Sequence, residues 1–224
     1  MANESKKYNL VIIDGPSGTG KDTLLKSIAD SLEARRGHFL HLSEDELDPN
    51  RDAIKKARDE GKQKGGTGDL EMATVITTHR AQIYKQILTP LNNNVYPTTV
   101  LANRGVPATL AYQTLRKEIT MSKVWNDHQR HCIPVPDLVV ITNCRPETAQ
   151  KREDSRNTVS QGLSGSVTKE AGSSASEVFR RRQALHQNFR RVAEFLRGKS
   201  LPVIELDTEY LTLKEETDIV LRNI

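Results

Sequence analysis

The chain has 224 residues, which is enough for a single domain, with or without a small insertion, that buries a sizeable core. Charged residues make up 28% and the formal net charge is +4, an excess that suits anionic ligands but is too small to indicate nucleic-acid binding. No run approaches the roughly twenty apolar residues that span a bilayer, and the N-terminus lacks the apolar core of a signal sequence. The two cysteines have no CxxC spacing and are typical of reduced thiols. From these features together we expect a soluble cytoplasmic protein with no nucleic-acid or membrane partner.

The first predicted strand and helix enclose a glycine-rich turn. An apolar run at Leu10–Ile13 precedes the turn, and a helical pattern of apolar residues follows it. The residues of the turn are Gly15, Pro16, Ser17, Gly18, Thr19, Gly20, Lys21, Asp22 and Thr23. Glycines let the backbone N–H groups point inward, Lys21 supplies a positive charge, and the helix N-terminus adds its dipole. The turn therefore predicts a phosphate-binding loop that holds a nucleotide triphosphate.

The residue after Lys21 departs from the usual pattern of such loops. A Ser or Thr hydroxyl normally stands there and ligates Mg²⁺, whereas this chain has Asp22, with Thr23 next. A carboxylate beside a triphosphate is repulsive unless a cation lies between them. Asp22 therefore either binds magnesium or points away while Thr23 faces the nucleotide.

Further strands and helices alternate along the rest of the chain. Strands are predicted at 39–42, 98–102, 138–141 and 203–206, and helices at 72–90, 108–123, after 146, at 178–196 and at 213–224. Between the second strand and the next helix, roughly 43–71, lies a charged insertion in which 52–60 could form an exposed helix. His128 and the pair His131-Cys132 look superficially like metal ligands, but we interpret them as a solvated helix end.

A second atypical segment, at 157–176, is rich in Gly, Ser and Thr and is predicted to be a mobile surface loop. Basic residues, including Arg156, flank it, so we predict a flexible lid at roughly 153–177 that closes over a phosphate site. The alternation of strands and helices predicts an α/β fold in one domain, 1–224. The expected architecture is a P-loop three-layer sandwich with a mostly parallel sheet of about five strands and helices on both faces.

Besides the loop and the preceding Asp14, the chain carries a series of short motifs: Arg80-Ala81-Gln82, Pro90-Leu91, Asn103-Arg104, Ala111-Tyr112-Gln113, Pro136-Asp137-Leu138, Pro146-Glu147, Arg152, Arg156, Phe179 and Arg181. Taken together and in this order, they resemble the motifs of thymidylate kinases within the P-loop nucleoside-monophosphate kinases. The resemblance covers most of the chain. It implies transfer of a phosphoryl group from ATP, with Mg²⁺, to a nucleoside monophosphate, and it implies a homodimer as a possible assembly.

The resemblance also implies a role for individual residues. Lys21 and the loop amides would hold ATP, and Arg104 would clamp the acceptor monophosphate through its guanidinium fork. Lys21, Arg104 and Arg156 would be the catalytic residues. The residues implied to contact the acceptor base are Arg80, Gln113 and Ile76, and those implied to close over the donor phosphates are Arg152, Arg156 and Arg181.

Three departures from the family pattern concern the acceptor and the metal. Asn103 replaces an aspartate, Leu42–Asp45 stands where an early arginine is expected, and Ile76 replaces an aromatic residue that stacks on thymine. With Asn103 neutral, Asp14 and Asp22 become candidates, with Thr23, for organising magnesium. The resemblance implies that the acceptor is dTMP or a related (deoxy)nucleotide, and these departures bear on dTMP itself more than on kinase activity. A ribose bisphosphate kinase and a nucleotide-binding protein without catalysis remain as alternatives.

Overall fold

The computed structural model describes residues 6–43, 69–115, 119–159 and 174–224. The candidate helix at 52–60, most of the predicted insertion and the central part of the predicted lid lie outside these residues. Five strands form one parallel sheet in the order β2-β3-β1-β4-β5: β1 (Tyr8–Asp14), β2 (Phe39–Ser43), β3 (Thr98–Asn103), β4 (Leu138–Asn143) and β5 (Val203–Asp207). The predicted α/β class and parallel sheet are confirmed.

Helices cover both faces of the sheet. Those described are α1 (Lys21–Ala34), α2 (Asp69–Leu91), α3 (Val106–Gln113), α4 (Met121–Arg130), α5 (Pro146–Val159), α6 (Ala175–Arg197) and α7 (Leu213–Leu221). Apolar residues of α1 and α7 form one core cluster with the sheet, and those of α2, α3, α4 and α6 form the other. None of the described helices is long and apolar enough to cross a membrane.

The central strands are apolar on both sides because each of their faces is covered by helices. In β1 the run Leu10–Ile13 is at most 2% exposed, and every residue of β4 is buried. Alternate residues along β1 enter opposite clusters: Leu10 and Ile12 pack with α3 and α6, while Val11 and Ile13 pack with α1. Such continuous apolar strands are typical of a parallel sheet between two helical layers.

Two predicted segments differ from the structure. The single helix predicted at 108–123 is two helices, α3 and α4, because α4 begins anew at Thr120, whose side chain accepts a hydrogen bond from the backbone N–H of Lys123. The segment predicted as a loop at 157–176 is helical at both of its ends, since α5 continues to Val159 and Ser174 caps the start of α6 with Glu177. The capping pair satisfies backbone N–H groups that a loop would have left exposed to water.

The direction of the chain after β1 and β3 positions the site. These two strands are neighbours, yet β1 leads to α1 on one face and β3 leads to α3 on the other. Such a switch point opens a crevice at the carboxyl ends of the strands, where ligands of parallel sheets bind. The glycine-rich loop follows β1 and Asn103-Arg104 ends β3, so both border this crevice.

Candidate active site

Close packing holds the glycine-rich loop against β4 and α5. A Cβ at Gly15 would lie 2.3 Å from the carbonyl oxygen of Thr142, and a Cβ at Gly18 would lie 2.3 Å from that of Ala149. Gly15 and Gly18 also have φ of +151° and +82°, which side-chain-bearing residues rarely adopt. Both positions therefore require glycine for conformation and for space.

Buried hydroxyl groups form hydrogen bonds within the loop and between the loop and β4. Thr19 is fully buried, and its Oγ1 donates to the carbonyl oxygen of Pro16 at 2.7 Å and lies 2.7 Å from Oγ1 of Thr142. These contacts close the loop on itself and fasten it to the end of β4. The backbone N–H groups are thus held in one arrangement before any anion arrives, as anion binding at a helix N-terminus requires.

The Asp14 carboxylate joins the two sides of the crevice. It is 1% exposed and accepts from the backbone N–H groups of Gly15 at 2.8 Å, Gly105 at 3.2 Å and Ala108 at 2.7 Å. Burial raises the pKa of Asp14, while Arg104, Lys21 and the N–H groups of Gly15 and Ala108 act in the opposite direction. Because both oxygens accept from backbone N–H groups, Asp14 holds the end of β1 to the start of α3. Its role as a magnesium ligand stays a prediction.

Lys21 lies at the first position of α1, with 6% of its surface exposed. Burial lowers its pKa, and the positive charges of Arg104 and Arg156 lower it further. The carboxylates of Asp22 and Asp14 act in the opposite direction. The fold has therefore brought three predicted catalytic cations within electrostatic reach of one another. Three like charges in one place are stabilised when an anion such as phosphate binds among them.

Arg104 has an unusual backbone conformation. Its φ is +70°, and its N–H donates to the carbonyl oxygen of Ile13 at 3.0 Å. Its side chain shares a hydrogen bond with the Tyr112 hydroxyl, whose pKa is raised chiefly by burial. A left-handed conformation in a non-glycine residue costs about 1–2 kcal/mol and is found most often at functional sites, where the surrounding structure enforces it.

Asp22 and Thr23 are both exposed in the first turn of α1, beside the loop. The Asn103 amide nitrogen donates to Oδ1 of Asp22 at 3.2 Å, which links the end of β3 to the start of α1. Asp22 and Asn103 both depart from the usual pattern, and the two residues are thus in direct contact. An aspartate at 103 would instead place a second carboxylate there.

The pattern that defines the Thymidylate kinase family matches residues 13–209. The chain belongs to the thymidylate kinase family. It is therefore a nucleotide-binding transferase of the kinase class, as the sequence motifs predicted. No curated protein matches the chain closely.

In this thymidylate kinase-family fold, Arg80 of α2 is buried, with 3% exposure. Its Nη1 donates to Oγ1 of Thr109 and to Nε2 of His128, both at 2.8 Å. His128 is 2% exposed, so the interpretation of this residue as part of a solvated helix end is wrong: the apolar face of α4 turns it into the core. Ile76, one turn before Arg80, and Gln113 at the end of α3 are each half-buried.

Two of the predicted lid arginines, Arg152 and Arg156, lie on α5 in different surroundings. The Arg152 guanidinium donates to the hydroxyl and the carbonyl oxygen of Thr208, both at 2.8 Å, so it is anchored beyond β5. Arg156 is exposed on α5 and close enough to lower the pKa of Lys21. A buried ion pair, Glu153 with Arg182, connects α5 to α6. Arg181 is half-buried on α6.

Sequence reasoning missed several residues that support the site. Thr142 and Thr109 belong to no motif, and the sequence marks Tyr112 only as part of a family motif. His128 could have been found from its apolar neighbours in the helix, Val124 and Trp125, which are buried on the same face. Across the described parts of the chain, no three His, Cys, Asp or Glu side chains are grouped as a metal site.

Proposed function

We propose that this protein transfers the terminal phosphoryl group of ATP to a nucleoside monophosphate, dTMP or a close relative. The observation that carries the proposal is the proximity of Lys21 and Arg104 at the crevice between β1 and β3, close enough for Arg104 to lower the pKa of Lys21. One cation belongs to the donor loop and the other ends the neighbouring strand. Two phosphate groups from different molecules can therefore meet between them.

Phosphoryl transfer depends mainly on positioning the two reactants and on neutralising the charge of the transferred group. The loop amides and Lys21 hold the donor phosphates, and the tight packing at Gly15 and Gly18 keeps these groups in place. Arg104 binds the acceptor phosphate through its guanidinium. The carbonyl oxygen of Ile13 fixes the backbone of Arg104, and Tyr112 shares a hydrogen bond with its side chain. Arg156 extends the positive charge toward the donor side.

The oxygen groups beside the loop fit magnesium. Mg²⁺ prefers oxygen ligands, keeps several waters, and is bound by one or two carboxylates together with substrate phosphates. Thr23 and Asp22 present a hydroxyl and a carboxylate in the first turn of α1, both exposed, and they would hold the ion. When bound, the ion would supply positive charge that neutralises part of the charge on the donor phosphates.

The acceptor base is assigned to the region beside Ile76 and the buried Arg80 of α2, with Gln113 of α3. Arg80 offers N–H donors to carbonyl groups of a base, while Ile76 offers an aliphatic contact in place of an aromatic face. The missing aromatic residue removes stacking, which contributes about 1–3 kcal/mol per base. We therefore expect a weaker preference for thymine than an aromatic residue would provide.

ADP formation with ATP, Mg²⁺ and a panel of acceptors tests the proposal. The panel contains dTMP, dUMP, dCMP, the ribonucleoside monophosphates and a ribose bisphosphate, with Lys21→Ala as the blank. We expect the highest kcat/KM with dTMP or another deoxynucleoside monophosphate. Turnover with the ribose phosphate alone would indicate a ribose bisphosphate kinase. Tight ATP binding without turnover of any acceptor would indicate a nucleotide-binding protein.

Asp22→Ser tests the metal assignment, because serine restores the hydroxyl that usually follows the loop lysine. We expect the Mg²⁺ concentration for half-maximal rate to change, since a charged ligand is replaced by a neutral one. Ser17→Ala, a change elsewhere in the loop, serves as the control. An unchanged Mg²⁺ dependence in Asp22→Ser would remove Asp22 from the metal site.

A further inference from the structure

The side chain of Arg80 is held by two helices other than its own. Its Nη1 donates to Thr109 of α3 and to His128 of α4, both at 2.8 Å. These partners are 29 and 48 residues away in sequence. An arginine side chain has many rotamers, and ordering it costs up to about 2 kcal/mol of conformational entropy. The two partners of Nη1 therefore select one orientation of the guanidinium.

The tautomer of His128 follows from its hydrogen bonds. Nδ1 lies 2.9 Å from the carbonyl oxygen of Val124, which can only accept, so Nδ1 carries the hydrogen. Nε2 then has a free lone pair and accepts from Arg80. Arginine has only donors, so a neutral imidazole in this tautomer is the form of histidine that matches it.

The surroundings keep the imidazole neutral. Its pKa is lowered to about 3 by burial and by the positive charge of Arg80. His128 is also 2% exposed and lies beneath α2, with Thr77 Oγ1 3.5 Å from Nδ1. The bond to Arg80 is therefore present throughout the neutral pH range.

We propose that His128 is a positioning residue for the acceptor base, acting through Arg80. The inference rests on the proposed function, which assigns Arg80 and Ile76, one turn apart on α2, to that base. Removing the acceptor at Nε2 leaves the guanidinium with one fewer fixed partner, so it can leave the orientation that meets the base. The acceptor phosphate, bound by Arg104, does not depend on this contact.

Two substitutions separate positioning from mere folding. His128→Leu has a similar size and no acceptor, whereas His128→Gln places an amide oxygen close to the position of Nε2. For His128→Leu we expect KM for the best nucleoside monophosphate to rise about tenfold, the size of one hydrogen bond to a charged group, with kcat and KM for ATP within about twofold. His128→Gln should restore KM to within about threefold of the unaltered protein.

A fragment without a base provides the decisive control. Inhibition by 2-deoxyribose 5-phosphate should be equal in the unaltered protein and in His128→Leu, because the fragment binds Arg104 and not Arg80. The inference is overturned if His128→Leu leaves the acceptor KM unchanged, if the fragment weakens in parallel with the nucleotide, or if His128→Gln fails to restore binding. Thr109→Val removes a second hydrogen-bond partner of Arg80 and should reproduce the effect of His128→Leu. If His128→Leu does not fold, a normal acceptor KM in Thr109→Val would overturn the inference.

Failure of the proposed function would look different. The unaltered protein would then phosphorylate no nucleoside monophosphate in the acceptor panel, and the inference would fall with the proposal. An active unaltered protein in which His128→Leu behaves normally would overturn the inference alone.

Discussion

Asp22 accepts a hydrogen bond from the side-chain amide of Asn103, and the two atoms lie 3.2 Å apart although the residues are 81 positions apart in sequence. One residue follows the loop lysine and the other precedes Arg104. A carboxylate at both positions would be repulsive, and an amide opposite a carboxylate is a donor opposite an acceptor. The two departures from the family pattern are thus complementary in charge and hydrogen bonding.

This pairing predicts that exchanging the two side chains preserves stability, whereas changing one does not. Asn103→Asp should lower Tm by about 1–3 °C at low salt, because interactions between exposed charges contribute about 1 kcal/mol or less. The double variant Asp22→Asn with Asn103→Asp should recover most of this loss. Thermal unfolding of both variants in low and high salt measures the effect. A salt-independent loss, or no recovery in the double variant, would contradict the pairing.

Lys21→Ala should reduce kcat/KM by at least about a hundredfold, since removing one preorganised donor to developing charge has an effect of this size. It should not weaken folding, because burial and two neighbouring cations already lower the pKa of the amine. Steady-state rates and urea unfolding give the two measurements. Lys26→Ala is the matched control on the same helix: Lys26 is exposed and paired with Asp30 at 2.6 Å. Equal rates in the two variants would exclude Lys21 from the donor site.

The loop glycines should differ in how well they tolerate alanine. Gly18→Ala places a Cβ 2.3 Å from the carbonyl oxygen of Ala149 at a φ of +82°, so we expect a loss of more than about 3 kcal/mol in the free energy of unfolding. Gly20 has a similar φ, +88°, but nothing lies within 4 Å of a Cβ there. Gly20→Ala should therefore cost only about 1–2 kcal/mol, the backbone strain alone. Urea unfolding of the two variants checks this, and equal losses would show that the contact with α5 is unimportant.

Stability should decrease as the pH falls below about 6.5, because two buried histidines are neutral in the fold. Burial lowers the pKa of His128 to about 3 and that of His186 to about 4. An unfolded histidine titrates near pH 6.5, so between about pH 6.5 and 4 the unfolded chain binds more protons than the folded one. For each of these histidines, the free energy of unfolding should fall by roughly 2 kcal/mol between pH 7.5 and 5.

His128→Gln isolates one of these contributions, because glutamine does not titrate. The free energy of unfolding, measured in urea at pH 7.5, 6 and 5, should fall less steeply in His128→Gln than in the unaltered protein. Identical slopes would mean that His128 is not held neutral in the folded state.

Much of the fold could be predicted from the chain itself because its signals are local. The apolar run of β1, the glycines and Lys21 lie within 14 residues of one another, from Leu10 to Thr23, and each acts on its immediate neighbours. The alternation of strands and helices and the rule for parallel sheets then bring Arg104 to the same crevice. Where no local signal was strong, as at the break between α3 and α4, the prediction was wrong.

The sequence by itself determined the loop, the parallel sheet and the family, since these depend on local patterns and on their order. Only the tertiary structure decided what the buried polar groups do. The Asp14 carboxylate meets the N–H of Ala108 across 94 residues, and Arg80 meets His128 across 48. These partners are determined by the packing of helices on the sheet. A buried donor or acceptor that finds no partner there lowers the stability of the fold. No spacing along the chain encodes that choice.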